Sequence, residues 1–342
     1  MDPATHALTS FALARGFFPR RSWPFTIGVV LAGTLADVDL LTLLFGPRAY
    51  LDGHHTVTHS LICTVVIIAI SAAFVDQCRA RFLKRGAIVS NTAAESFAII
   101  VLAASGAVAL HLLMDLTCSQ GIALLWPFGT VRFAWDCVRS LDPWILTLLL
   151  AGLLLPEIFR LVGSEIGARE KSPRGRNGAL VALTLIVIYV GARAVLHNNA
   201  EGQLDAHTYR GESPRRVAVF PDSSSAINWR GVVETTTQIC TIDLGATESF
   251  DPEGALCVHK PEESQILAAA QKTETAQKFL QATRLPKARV DTTEEGSEIV
   301  LRDMRDIAQN DSTHALAARI LLDRSGQVTN QKILWARTVH LR

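Results

Sequence analysis

The sequence predicts an α-helical polytopic membrane domain of about five or six transmembrane helices, followed by a soluble α+β domain. The 342 residues are 49% hydrophobic and only 19% charged, with a mean hydropathy of +0.25, which is too apolar for a soluble chain of this length. The apolar residues form long runs up to about residue 198, and mixed sequence with turn signals follows. We therefore expect a membrane domain over residues 1–198 and a soluble domain over residues 199–342, which is long enough for its own core.

Apolar runs of about 20 residues are needed to cross a bilayer as a helix. The segments that qualify most clearly are Ser60–Val75, Ala94–Met114, Pro143–Val162 and Gly178–Leu196. Trp23–Phe45 also qualifies by length, but it contains Asp37 and Asp39. Because carboxylates are costly at membrane depth, these two should lie at a helix end or face a polar cavity. A shorter helix is expected from Pro3 to Phe18, in a segment that lacks the basic region and cleavage site of a signal peptide.

Basic residues in the loops predict the orientation of the helices. They cluster in three loops, as Arg15, Arg20 and Arg21, then Arg79, Arg81, Lys84 and Arg85, then Arg160, Arg169, Lys171, Arg174 and Arg176. These loops share one side if each segment crosses once, and the positive-inside rule makes that side cytoplasmic. Loops 46–58 and 116–142 and everything after His197 then face outward, which is the periplasm for a bacterial inner membrane. The net charge of +1 argues against nucleic acid as a partner.

The soluble region is predicted to contain strands at Gly231–Leu244, Leu316–Leu322 and Gln331–Val339, the last two flanking a hairpin turn at residues 323–326. One helix is expected over Glu262–Leu280. On the assigned outer side, Cys240 with Cys257 and Cys118 with Cys137 could form disulfides, and buried free thiols are equally compatible with each pair.

Histidine and aspartate residues concentrate in the first 130 residues. His111 and Asp115 are four apart on a predicted helix, so they lie on one face and can reach one ion. Imidazole nitrogen and carboxylate oxygen both suit zinc. Alternatively, both residues could have a purely structural role, with the histidine hydrogen-bonded to a backbone carbonyl and the aspartate at the helix end. Asp37 and Asp39 form a D-x-D pair, and a loop of six residues contains His54, His55 and His59.

The orientation inferred from loop charge places these side chains together at the outer ends of the helices, although it does not use them. We therefore expect a divalent metal site, with zinc as the metal. Mixed His and carboxylate ligands are typical of catalytic rather than structural zinc sites. A carboxylate, Asp37 or Asp39, could act as general base. The expected ligands are His6, Asp39, His54, His59, His111 and Asp115, with His6 and His54 either binding the metal or lying behind the ligands.

The order of these motifs resembles the bacterial inner-membrane metal-dependent hydrolases regulated by LexA, the YdjM-like family. The resemblance rests on Thr5-His6, Ala36-Asp37-Val38-Asp39, His54-x-x-x-Thr58-His59-Ser60 and His111-x-x-x-Asp115, with Gly121 and Pro127 downstream. His55 and Thr56 depart from the family pattern, which has arginine and glycine there. The order is more distantly similar to the zinc phospholipase C and single-strand nuclease superfamily, but the second HxxxD of that superfamily is not evident.

The resemblance implies a membrane-bound metal-dependent hydrolase, with a lipid or other phosphoester as the expected substrate at the periplasmic face. Two alternatives stay open at this point. The same residues could form the transit site of a divalent-ion transporter, or the protein could be a membrane scaffold with a structural metal. The sequence leaves the substrate, the metal count, the oligomeric state and the role of the C-terminal domain open.

Overall fold

The fold of the protein was obtained as a computed structural model. It describes residues 1–19, 21–84, 96–165, 175–222, 225–245, 250–294, 296–308 and 315–336. The N-terminal helices are α1 (Pro3–Phe17), α2 (Trp23–Ala32), a 3-10 helix (Leu35–Phe45), α3 (Pro47–Gly53), α4 (Leu61–Lys84), α5 (Phe97–Thr117), α6 (Pro143–Glu165) and α7 (Arg176–Asp205).

Helices α4 to α7 are each long and apolar enough to cross a membrane. A fifth crossing is obtained if α2 and the 3-10 helix are counted as one span, which is bent by 54°. The described residues therefore give four or five spans, slightly fewer than the five or six predicted. The difference has two causes. Helix α1, with 15 residues, is too short to count as a span, and Trp23–Phe45 is not one helix, because α2 stops at Gly33 and the chain turns before the 3-10 helix begins.

Helix α1 packs closely against the end of α2. A Cβ atom on Gly33 would lie 1.8 Å from Oγ of Ser10 on α1, so only glycine allows this approach. Helix α1 begins with Pro3, after Asp2, whose carboxylate accepts a hydrogen bond from the Thr5 amide. His6 consequently lies one turn into α1, beside the end of α2.

At the other end of the helix bundle, away from His6, an ion pair and a hydrogen bond join the helices. Arg15, near the end of α1, pairs with Glu157 on α6, and Arg176 at the start of α7 donates to the Gly16 carbonyl at 3.1 Å. This is the end at which the sequence places basic loops. The start of α1 and the ends of α5 and α7 lie at the other end, with the C-terminal domain.

The C-terminal region contains two four-stranded antiparallel sheets, each a meander. The first comprises β1 (Arg216–Pro221), β2 (Trp229–Glu234), β3 (Gln238–Leu244) and β4 (Leu256–His259). The second comprises β5 (Pro286–Thr293), β6 (Gly296–Asp303), β7 (Leu316–Asp323) and β8 (Val328–Trp335), and the short helices are α8 (Gln265–Gln271), α9 (Glu274–Ala282) and α10 (Met304–Ala308). Helix α7 runs past residue 198, and its Leu204 is buried in the core of the first sheet.

The structure corrects two predicted elements of this region. The segment Gly231–Leu244 is a hairpin of β2 and β3, and Glu262–Leu280 is divided into α8 and α9 at Thr273, whose hydroxyl caps α9. The hairpin of β7 and β8 confirms the turn at residues 323–326. The predicted last strand ends at Trp335, and residues 337–342 lie outside the described part of the chain.

The two predicted cysteine pairs differ: one forms a disulfide, and the other consists of free thiols. Cys240 and Cys257 face each other on β3 and β4 and form a disulfide. Cys118 and Cys137 are buried free thiols.

The second sheet and its helices pack on the membrane domain at α3. Tyr50 on α3 lies in the same apolar cluster as Leu267 and Phe279. Arg284 makes a two-pronged ion pair with Asp136, at 2.7 and 2.8 Å, and also donates to the Ser119 carbonyl at 3.1 Å. The C-terminal domain is therefore held against the loop that follows α5.

Candidate metal centre

Four buried side chains from three segments meet at the end of the helix bundle that faces the C-terminal domain. His111 and Asp115 lie one turn apart on α5, His59 lies in the loop before α4, and Asp37 lies in the 3-10 helix. Their exposed fractions range from 0% for His59 and Asp115 to 7% for Asp37. These donors are held away from bulk water.

The donor atoms lie at the separations that one metal ion requires. Nε2 of His59 and Nε2 of His111 are 3.1 Å apart, and Oδ2 of Asp115 is 3.2 Å from the first and 3.1 Å from the second. Oδ1 of Asp37 is 3.9 Å from each Nε2. A tetrahedral zinc ion with bonds of about 2.0 to 2.1 Å places its ligand atoms about 3.3 Å apart. The two imidazole nitrogens and Oδ2 of Asp115 therefore fit three ligands of such an ion, and Oδ1 of Asp37 lies farther from both nitrogens.

Hydrogen bonds behind the two rings fix which nitrogen carries the proton. Nδ1 of His111 lies 2.9 Å from the Gly33 carbonyl oxygen, and Nδ1 of His59 lies 3.2 Å from Oδ2 of Asp39. The carbonyl and the carboxylate can only accept, and the Thr58 hydroxyl, 3.0 Å from Nδ1 of His59, donates its own hydrogen to Asp39. Each Nδ1 therefore carries a hydrogen, and each ring in its neutral form presents the lone pair of Nε2 to the centre. This backing by a carbonyl or carboxylate is the usual arrangement behind a metal-binding imidazole.

The centre is consequently a cluster of acceptors. Two imidazole lone pairs face carboxylate oxygens of Asp37 and Asp115, and Oδ2 of each aspartate is buried without a hydrogen-bond donor in the described part of the chain. Buried acceptors that face each other repel unless a cation lies between them. The Met1 ammonium pairs with Oδ1 of Asp115 and leaves both Oδ2 atoms without a donor in the described part of the chain. A metal ion would satisfy several of these acceptors together, whereas one proton bridges only two. The donor set therefore fits a divalent metal.

Further donors surround this set. Nε2 of His6 lies 3.1 Å from Oδ1 of Asp115, and its ring stacks on His111 at 3.8 Å. His55, which sequence reasoning did not select as a ligand, can join His59 and Asp115 in a group of three converging donors. Its Nδ1 lies 3.2 Å from the Gly121 carbonyl oxygen, so this ring also has a carbonyl behind it. The three histidines within six residues of this loop are the sequence signal by which His55 could have been selected.

The structure places Asp39 behind the centre rather than in it. Its carboxylate receives hydrogen bonds from Nδ1 of both His54 and His59 at 3.2 Å, from the His55 amide at 2.8 Å and from the Thr58 hydroxyl at 3.0 Å. Neither Asp39 nor His54 belongs to any group of converging donors among the described residues. Both lie on the Nδ1 side of His59, which for His54 is one of its two expected positions; a direct bond from Asp39 to the metal stays a prediction.

A cleft lies beside the centre, between the membrane domain and the C-terminal domain. Its polar lining includes Tyr50, His54, Gln120, Arg132, Thr283 and Arg305. Burial lowers the pKa of His54 below its ordinary value, although the carboxylate of Asp39 opposes the shift. Burial, followed by the nearby charge of Arg305, lowers the pKa of Arg132 to about 10, so its guanidinium remains charged at neutral pH.

Comparison with known proteins agrees with the architecture of the first domain. Residues 1–200 match the family model described as YdjM inner membrane protein. No curated protein and no solved structure matches the chain. The match covers more than half of the 342 residues and includes every donor described above. Together with the apolar helices, it identifies a multi-pass inner-membrane protein, and this chain belongs to the YdjM inner membrane protein family.

Proposed function

We propose that this protein is a membrane-bound, zinc-dependent hydrolase. The observation that carries the proposal is the convergence of Nε2 of His59, Nε2 of His111, Oδ2 of Asp115 and Oδ1 of Asp37, with each imidazole backed by an acceptor on its far side. Mixed histidine and carboxylate ligands are typical of catalytic zinc sites.

Zinc held by these residues supplies a Lewis acid that polarises a scissile ester and lowers the pKa of water. The chain's own side chains have distinct tasks around it. Asp37 offers Oδ2, a buried carboxylate oxygen with no donor in the described part of the chain, which can accept a proton from an attacking water. Asp39 holds the ring of His59 in position. The substrate we propose is a lipid or another phosphoester.

We place the reaction at the periplasmic face. The centre and the C-terminal domain share one end of the helix bundle, opposite the end at which Arg15 and Arg176 cluster. Disulfides such as Cys240–Cys257 persist mainly in oxidising compartments such as the periplasm. Alkaline phosphatase fused to the C-terminus should be active in cells; an inactive fusion at normal expression would contradict this orientation.

The hydrolase proposal is tested with zinc-loaded, full-length protein, bis-p-nitrophenyl phosphate and a fluorescent phospholipid. We expect turnover of at least one of the two substrates. Asp37→Asn should lower kcat about 10²-fold to 10⁴-fold, the usual contribution of a general base, while zinc stays bound to His59, His111 and Asp115. Asp52→Asn, a change at an exposed residue that pairs with Lys278, is the matched control and should leave turnover unchanged. A zinc-loaded protein that hydrolyses neither substrate would argue against the proposal.

A further inference from the structure

The cleft beside the metal centre is built from both domains. Gln120 and Arg132 come from the loop between α5 and α6, and Thr283 and Arg305 come from the C-terminal domain. Its walls include Tyr50, which packs in the core of the second sheet. The proposed catalytic residues do not line this cleft, and its polar side chains have no role in the chemistry above.

Arg132 is a partly buried cation without an acidic partner. Its Nη2 donates to the His54 carbonyl at 3.0 Å and to the Thr56 hydroxyl at 3.2 Å. Within the described residues, no carboxylate pairs with this guanidinium, and its Nε and Nη1 have no acceptor. A desolvated charge is costly unless it is paired. An anionic ligand would supply the missing partner.

Two neutral donors lie in the same cleft. The amide of Gln120 and the hydroxyl of Thr283 both line it, and neither side chain makes a hydrogen bond within the part of the chain that the structure describes. A phosphate group offers several strong acceptor oxygens, and it is bound in proteins by such combinations of arginine and neutral donors. The three side chains provide a cation and two further donors.

The acidic residues of the cleft are already engaged. Asp306 receives two hydrogen bonds from Arg305, at 2.8 and 3.1 Å. Asp303 accepts from the backbone amides of Arg284 and Arg305, at 3.4 and 2.9 Å. The charge left without a partner is therefore the positive charge of Arg132.

One chain of hydrogen bonds connects this cleft to the metal centre. His54 accepts from Arg132 through its carbonyl and lies against Asp39 through Nδ1, and Asp39 in turn holds His59. The His54 ring also stacks on Tyr50 at 4.5 Å. A ligand in the cleft would therefore be linked to the metal centre through His54, Asp39 and His59.

We propose that Arg132, Gln120 and Thr283 form a phosphate-binding subsite, so that the C-terminal domain completes the binding site of the membrane domain. Its role in substrate recognition rests on the proposed hydrolase, whereas phosphate binding itself does not. The phosphate belongs either to a lipid headgroup or to a soluble phosphoester.

The test measures binding of inorganic phosphate to full-length protein in maltoside micelles, which contain no phosphate. Arg132→Gln should raise Kd about tenfold or more, because hydrogen bonds to a charged group are lost. Thr283→Val, which removes only a hydroxyl, should weaken binding less. Arg289→Gln, on the exposed surface of β5, is the matched control and should bind as the wild type does.

His111→Ala separates this subsite from the metal centre. This variant should lose zinc and keep phosphate binding, whereas Arg132→Gln should keep zinc and lose phosphate binding. Phosphate binding that disappears with His111→Ala places the phosphate on the metal and overturns the proposal. So does binding that survives in Arg132→Gln. Loss of hydrolysis alone would count against the hydrolase and not against this subsite.

Competition identifies the source of the phosphate. Displacement of bound phosphate by phosphatidylglycerol in mixed micelles indicates a lipid headgroup. Displacement by glycerol 3-phosphate, without competition from the lipid, indicates a soluble phosphoester.

Discussion

Replacing Asp39 by asparagine should weaken zinc binding without abolishing it. Oδ2 of Asp39 accepts from Nδ1 of His59 at 3.2 Å, from the His55 amide at 2.8 Å and from the Thr58 hydroxyl at 3.0 Å, and Oδ1 accepts from His54. Asparagine keeps one acceptor oxygen and loses the charge. The His59 ring then either keeps a weaker hydrogen bond to residue 39 or rotates away from it.

The size of the effect follows from the place of Asp39 behind the ligands. Loss of such an outer partner typically costs about 10-fold to 100-fold in metal affinity, which corresponds to about 1.4 to 2.7 kcal/mol. The measurement is competition for zinc between the purified protein and a chromophoric chelator. Asp52→Asn is the control, because its exposed carboxylate pairs only with Lys278 among the described residues.

Two results would refute the reasoning about Asp39. Unchanged zinc affinity would show that the hydrogen bond to His59 has no influence on the metal. Complete loss of zinc, as expected for His111→Ala, would show that Asp39 is itself a ligand, as the sequence alone predicted.

Three other changes act outside the metal centre. Arg284→Gln removes a partly buried ion pair with Asp136 and should lower the free energy of unfolding by about 2 kcal/mol. The expected readouts are a lower Tm and faster proteolysis between the domains, and an unchanged Tm would contradict the prediction. Reduction of Cys240–Cys257, 17 residues apart, should cost about 3 kcal/mol, and a Tm insensitive to reductant would argue against it. Hydrogen bonds from Thr237 lower the pKa of Glu212 from 4.5 to about 2, so its stabilising contribution is complete above pH 4.5 and is lost as the pH falls towards 2. Glu212→Gln should remove that part of the acid dependence in unfolding curves.

Helical spacing predicted part of the centre from sequence. His111 and Asp115 are four residues apart, which requires a common face on any α-helix, and the structure has them 3.1 Å apart. The D-x-D pair was less informative. Residues two apart on a 3-10 helix point in directions about 120° apart, so Asp37 and Asp39 lie on different sides of the helix. Which of them faces the metal depends on how the 3-10 helix packs, and the sequence does not show this.

The loop of histidines shows a similar limit. Three histidines in six residues indicated a site, but the ring that points inward depends on the backbone turn. His55 adopts φ +57°, in the left-handed region that few non-glycine residues occupy. This conformation, which the sequence pattern does not encode, accompanies the hydrogen bond from its Nδ1 to Gly121.

Turn residues decided which C-terminal elements could be predicted. The hairpin of β7 and β8 has Gly326 in its turn, at φ +81°, and this signal is visible in the sequence. The turn between β2 and β3 spans residues 235–237, which are all threonine, so Gly231–Leu244 looked like one strand. Thr273, which caps α9, likewise lies within a pattern that otherwise predicts one continuous helix.

The central claim is that the buried donors around His111 bind zinc, and elemental analysis of the purified full-length protein tests it most directly. We expect stoichiometric zinc in the wild type, a reduced affinity that still permits loading in Asp39→Asn, and essentially none in His111→Ala. A folded wild-type protein that binds no stoichiometric metal after incubation with zinc, or a His111→Ala variant with unchanged metal content, would contradict the account.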